Sequence, residues 1–431
     1  MMCCADLLHL RVALVLVATL LSACGGGGGG ETASTPPNVP GGPALNSLPA
    51  APAVQNEMRV YVDAGPPDTG YNVNRLYADV TVCFPGKSSP GSATQCQTIE
   101  HVLVDTGSTG LRLLSSVMAP ALSLNRQMST DDLPLLNCAQ FVDNTSAWGP
   151  VVIADIVLAG MKAANLPIQV VGDPAFNSLT AATPSPCSGK AMTTAKELGA
   201  NGILGVGLFK EDCGVRCSDI VNNGAYYTCN DAGCTATVGA RANLAQQVQN
   251  PVARFATDNN GVRINLPAVA APGAPLVEGT LTIGIGTQSL ASVTVLSTNP
   301  SGRITTRLAA PNQPNNFTDS FIDSGSNGLF FDSTITKCGP GGEGFYCPAS
   351  PTTLSATLEG ANGATRALSF TVDKATDLFA GGVKHVLPTL AGDIGDARIF
   401  DWGLPFFYGR RVFFGIEGMA STLGPGPFYA F

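Results

Sequence analysis

Two stretches of this 431-residue chain set an aspartate in the same surroundings. HVLVDTGSTGLRL holds Asp105, and SFIDSGSNGLFFD holds Asp323. Counting from each aspartate, five of nine positions are identical: Asp, Gly, Ser, Gly and Leu. A carboxylate that ends an apolar run is costly unless something pairs with it. A single copy is accounted for by a turn that needs small polar residues. Two copies open a different chemistry. Carboxyls that face each other across a small gap cannot both ionise cheaply, so they share one proton and titrate as a pair. One can take a proton from water while the other supplies one to a carbonyl. Such a pair hydrolyses an amide without a metal and without a covalent intermediate.

Such a pair has to be positioned by strands. The chain reads as mostly β. MRVYVDAG, NRLYADVTVCF, QTIEHVLVDTG, VVIADIVLAG and LPIQVVGD alternate or run apolar in the first part, and GVRINLP, GTLTIGIG, ASVTVLST, ALSFTVD and RRVFFGIE follow. With 50 glycines and 31 prolines, short strands joined by turns are expected. ARANLAQQVQNPVARFATDN, residues 240–259, is the one helix candidate, broken at Pro251. The two aspartates lie 218 residues apart, too far for a solenoid repeat and suited to two lobes of similar build with one aspartate each. Each copy is followed by an apolar glycine-bearing strand, NGILGVGLF from Asn201 and DWGLPFFYGRRVFFGIE from Asp401.

This order of motifs resembles the pepsin-like aspartic proteases. VDTGS and IDSGS match the family's two catalytic turns, NGILGVG its first-lobe strand, and WGLPFFYGRRVFFGIE its second-lobe ending. The resemblance covers most of residues 57–431 and implies a bilobal double β-barrel or sandwich around a central cleft, with lobes at 57–262 and 263–431. It implies an aspartic endopeptidase in which Asp105 and Asp323 form the dyad, acting on a peptide or protein substrate without a cofactor or metal. Thr106 and Ser324 match the hydroxyl residues that cross-link the turns. Gly107 and Gly325 let the backbone approach the opposing carboxylate. Ser108 and Ser326 are suited to donate to the outer carboxylate oxygens. Two positions depart from the family pattern. Trp148-Gly149 stands where a covering flap has Tyr-Gly, and Arg112 stands where a tryptophan is expected. The alternative reading is a catalytically silent pepsin-like lipoprotein that binds proteins or glycans.

The N-terminal segment bears on location. Arg11 precedes the apolar run Val12 to Leu21, too short to span a bilayer, which ends in LSAC. LSAC resembles the lipobox of bacterial lipoproteins, implying a signal peptide at 1–23 and lipid on Cys24; an ordinary signal peptide is the other reading. Residues 24–56, opening with six glycines, read as a linker between membrane and body. Gly25 carries no retention aspartate, which points to the outer membrane of a cell envelope. Setting aside Cys3, Cys4 and Cys24, ten cysteines remain in an exported chain. Cys83–Cys96, Cys213–Cys217, Cys229–Cys234, Cys338–Cys347 and Cys138–Cys187 are the expected pairs. Zinc at Cys213, Cys217, Cys229 and Cys234 is the alternative.

Other functions fare poorly. A net charge of −8 disfavours nucleic acid. Outside the signal segment the histidines are His101 and His385, and no G-x-S-x-G elbow accompanies them. A regular strand would turn His101 to the same side as Asp105. The body is expected to be a monomer.

Overall fold

Strand pairing begins where the alternation is clearest. Tyr77–Cys83 (β1) runs antiparallel to Cys96–Asp105 (β2), from Tyr77 beside Leu103 to Cys83 beside Cys96. The last pair is a disulfide, so the expected hairpin is pinned at its loop end. The computed structural model describes residues 55–87, 95–177, 187–229, 236–286, 293–309 and 316–431. The signal segment, Cys24 and the glycine linker lie outside the described residues.

Four more strands complete a barrel: Thr109–Leu114 (β3), Thr145–Leu158 (β4), Met161–Val171 (β5) and Gly202–Val206 (β6). β2 pairs with β6, β6 with β3, β3 with β5, β5 with β4, and β4 returns to β1. This circuit of six strands has no free edge. Side chains alternate across its wall, as a pleated strand requires. Val102, Val104 and Leu204 point into the main core, while Leu103 and Ile203 join a separate cluster with Tyr77, Leu114, Met192 and Leu198.

The later part of the chain repeats half of this design. Its strands are Asn316–Ile322 (β7), Leu329–Phe331 (β8), Ala391–Gly392 (β9) and Phe400–Trp402 (β10). β7 pairs parallel with β10, β10 antiparallel with β8, and β8 parallel with β9. The order and sense match β2–β6–β3–β5. Here the sheet stays open, extended by Ile304–Leu308, Thr352–Glu359 and Thr365–Val372. Aromatic rings fill it: Phe400 stacks on Phe331 at 4.6 Å and on Trp402 at 4.1 Å.

A third layer joins the two. Glu57–Val62, Val277–Ile283, Gly261–Asn265, Arg411–Gly415, Phe428–Ala430 and Val295–Ser297 pair antiparallel in that order. Strands from the start, middle and end of the chain thus share one sheet, which couples the halves through backbone hydrogen bonds.

The structure corrects two expectations. Residues 240–259 form no long helix; the helical part is a single short turn at Val252–Arg254. Their amides instead reach distant backbone: Gln247 donates to Gly214 O, Gln246 to Met128 O and Asn250 to Gly207 O. Such side-chain bonds compete with helix formation. The zinc alternative fails because Cys213 and Cys217 form a disulfide and Cys229 is disulfide-bonded, which leaves those thiols no role as ligands. Cys234 lies outside the described residues. Cys138–Cys187 and Cys338–Cys347 form as expected. Among the described residues no helix is long and apolar enough to cross a membrane.

Candidate active site

Asp105 is the last residue of β2, and Asp323 directly follows β7. Each has the glycine-bearing strand behind it. Gly205 of β6 stands opposite Asp105, and Asp323 N–H donates to Trp402 O of β10 at 3.0 Å. The repeated pairing of the sheets therefore delivers both carboxyls to one place, and they are only 6% and 8% exposed.

The two turns meet at a single backbone amide. Gly107 N–H lies 2.9 Å from Asp105 Oδ1 and 3.0 Å from Asp323 Oδ1. Such an approach excludes a side chain. A Cβ on Gly107 would stand 2.6 Å from Asp323 Cγ, and one on Gly325 would stand 2.7 Å from Asp105 Cγ. Behind the carboxyls the hydroxyl residues cross over. Ser324 N–H donates to Thr106 Oγ1 at 2.9 Å, and Thr106 N–H to Ser324 Oγ at 3.2 Å. Ser324 Oγ then donates to Val104 O at 2.6 Å, and Thr106 Oγ1 to Ile322 O at 3.4 Å. Each hydroxyl both accepts from and donates to the opposite half, so the distance between the aspartates is locked by buried bonds.

The pair is electrically uneven. Burial, and then the charge of Asp323, hold the Asp105 carboxyl well above the usual carboxylate range. Asp105 Oδ1 accepts from Gly107 N and Ser108 N. Asp323 accepts from Gly107 N, from Gly325 N at 2.7 Å and from Ser326 Oγ at 2.9 Å. More donors thus reach Asp323 than Asp105. The serines differ from expectation here. Ser326 reaches the outer oxygen of Asp323 through its hydroxyl, whereas Ser108 donates to Asp105 through its backbone N–H.

Trp148 and Gly149 are not at a hairpin tip. Both sit within β4, opposite Cys138 and Asn137 of the strand Leu135–Gln140. The indole is 4% exposed, packs among Leu136, Phe176 and Tyr227, and donates to Phe176 O at 3.2 Å. Gly149 lies against Val170 O, too close for any Cβ. The hairpin turns earlier, where Asn144 N–H donates to Phe141 O. Counting residues from Asp105 misplaced the tip because the Cys138–Cys187 disulfide and the apolar face set the register.

Arg112, in place of the expected tryptophan, is also interior. Its guanidinium donates to Asn137 Oδ1 and Gln169 Oε1 at 2.6 Å each and pairs with Asp212 at 3.0 Å. Burial raises the Asp212 carboxyl, and the Arg112 charge opposes that rise. His101 has φ 53°, which breaks the alternation of β2 and turns its ring to Asp63 Oδ2 at 3.1 Å rather than to the dyad.

One residue of this site escapes a reading of motifs. Asp401 of β10 is 1% exposed, and its Oδ1 has no hydrogen-bond partner. Aligning Gly403 with Gly205 would have found it, since that sets Asp401 on Ile203, an apolar position in the first copy.

The motif order and geometry extend over nearly the whole body, and so does a family match. The family described as a protein of unknown function (DUF3443) matches residues 52–431. The chain belongs to this family. No curated protein matches it. The matched span of the DUF3443 chain contains both aspartate turns, the cross-linking hydroxyls and Asp401.

Proposed function

We propose that the protein is a pepsin-like aspartic endopeptidase, bilobal, with the barrel and the half-barrel as its two lobes, tethered to the bacterial cell envelope by lipid on Cys24. One observation carries the reading: two aspartates from repeated turns converge on the Gly107 amide, with their hydroxyl neighbours cross-bonded behind them. In the proposed reaction the Asp323 carboxylate takes a proton from a water as its oxygen attacks the peptide carbonyl. Asp105 gives its proton to the carbonyl oxygen, and a tetrahedral diol results. Asp323 then returns its proton to the amide nitrogen as the C–N bond breaks, and Asp105 recovers its own from the collapsing hydroxyl. The uneven hydrogen bonding of the pair supports this assignment of base and acid.

The test is digestion of a mixed peptide library by the full chain between pH 3 and pH 8, beside Asp105→Asn and Asp323→Asn. Each substitution is expected to lower cleavage by about 10³-fold. Absence of dyad-dependent cleavage at every pH overturns the hydrolase and leaves the binding protein.

A further inference from the structure

Several arginines of this protein are answered by a partner. Arg59, Arg112, Arg263, Arg307 and Arg398 each pair with a carboxylate. Arg303 and Arg410 lie over the Phe321 and Phe406 rings. Arg75 is the exception beside the dyad. Its side chain is half-buried, and among the described residues it makes no ion pair, hydrogen bond or ring contact.

Its place follows from the strand register. Tyr77 stands opposite Leu103, and Val104 N–H donates to Leu76 O at 2.7 Å, so the β1–β2 pairing runs on and brings Arg75 level with Asp105. Opposed Cα atoms in such a pair are about 5 Å apart. Leu76 and Val104 turn to the main core, whereas Tyr77 and Leu103 turn to the second cluster. By the same alternation Arg75 and Asp105 lie on the second side. Gly199 agrees with this placement. A Cβ there would stand 2.6 Å from Arg75 Nε and 2.9 Å from its Cζ, and Leu198 and Ala200 on either side belong to that cluster. The guanidinium thus rests against a glycine on the face of the wall that carries the dyad.

The neighbouring groups leave its charge unanswered. Asn72 Oδ1, also beside Gly199, is neutral, and Tyr77 gives its hydroxyl to Gly199 O at 2.7 Å. Among the described carboxylates, Asp143 is the one whose charge reaches Arg75. It is exposed at the tip of the hairpin before β4, where it accepts from Thr145 N–H and Oγ1. Burial outweighs its attraction and holds the guanidinium below its ordinary range. That hairpin packs on the second cluster through Ala139, Phe141 and Ala147, so its tip, Arg75 and the dyad share one side of the wall.

A half-buried cation is costly until an anion meets it. An extended peptide advances about 3.3 Å per residue, so one with its scissile carbonyl at the dyad carries a nearby side chain past Arg75. A guanidinium fork matches a carboxylate in bidentate fashion. We propose that Arg75 is a specificity-determining residue that selects acidic peptides, by pairing with a glutamate or aspartate side chain a few residues from the bond that is cut. The inference rests on the proposed hydrolase for its substrate.

Octapeptide pools with Glu or Gln fixed at each position in turn, given to the full chain at pH 6, test it. At one position relative to the cut, the wild type is expected to favour Glu over Gln by about tenfold in kcat/KM. Arg75→Met should bring that ratio near one while it cuts Gln pools nearly as fast as the wild type, a split that general damage to the site would not give. Arg75→Lys should keep part of the preference, and Arg75→Glu should favour pools with Lys there instead. Asp143→Asn should keep the Glu preference. No Glu preference in the wild type at any position, or one that survives in Arg75→Met, overturns the proposal. An equal fall for Glu and Gln pools in both Arg75→Met and Asp143→Asn makes the two residues a latch for the hairpin and also overturns it. If the wild type cuts no pool, the hydrolase reading fails by itself, and binding of the same pools, read by fluorescence anisotropy, decides Arg75. A Glu preference lost in Arg75→Met then supports the anion contact, and equal binding of Glu and Gln pools overturns it.

Discussion

Asp105→Asn should make the protein more stable at neutral pH while it abolishes the proposed reaction. Both Oδ1 atoms of the pair lie within 3.0 Å of one nitrogen, so the carboxyls are near neighbours. Two unit charges about 4 Å apart repel by about 4 kcal/mol at an effective dielectric constant near 20. An amide at position 105 removes that repulsion. It also weakens the two bonds accepted from Gly107 and Ser108, by about 1 kcal/mol each, because the acceptor is no longer charged. The net gain is about 2 kcal/mol. Its sign depends on pH. The folded Asp105 carboxyl sits above its unfolded value near 3.8, so the native state holds that proton more tightly than the unfolded chain does. That contribution is fully present below the unfolded value and is lost as pH rises through the folded one. Asparagine has no proton to lose, so its advantage is absent at pH 3 and grows as pH rises above the unfolded value. For a chain of this size about 2 kcal/mol corresponds to a Tm rise of about 2–3 °C. Scanning calorimetry of both proteins at pH 3 and pH 8 makes the comparison. A Tm gain at pH 3 equal to or larger than that at pH 8, or a loss at both, refutes the reasoning.

Two further substitutions probe the supports. Gly325→Ala sets a Cβ 2.7 Å from Asp105 Cγ, and the displaced carboxyl is expected to lower peptide cleavage by about 10²-fold while the urea midpoint falls only modestly. Arg112→Met strands Asp212 in the interior and is expected to cost about 3–5 kcal/mol in urea unfolding, with Arg112→Met plus Asp212→Leu recovering most of it.

The parts legible in the sequence were those decided over short windows. The two aspartate turns could be paired because the close backbone approach admits only glycine at 107 and 325, and the crossing bonds need hydroxyls at 106 and 324. The Cys83–Cys96 hairpin was legible because two apolar, alternating strands flank a Gly/Ser/Pro-rich turn and meet it with a cysteine each. What was hidden depended on partners far along the chain. Gln246, Gln247 and Asn250 read as helix residues until the backbone groups they capture are known. Trp148 could not be placed by counting, since a one-residue change of register moves a side chain to the other face. Asp401 looked like an ordinary polar residue beside Trp402, and its depth follows only from the parallel pairing of β10 with β7.

In the proposed hydrolase, the departure of Asp401 from Ile203 gives the substrate cleft a direction. Two identical halves would treat a bound chain the same whichever way it lay. In that reading one side acts as acid and the other as base, with Ser326 bonded to Asp323 through its hydroxyl and Ser108 to Asp105 through its backbone N–H. A peptide lying N-to-C across the Gly107 amide presents its carbonyl and its nitrogen to different partners than one lying C-to-N. Under the proposed function, the unequal surroundings of two equal turns thus distinguish the polarity of a peptide backbone before any side chain is recognised.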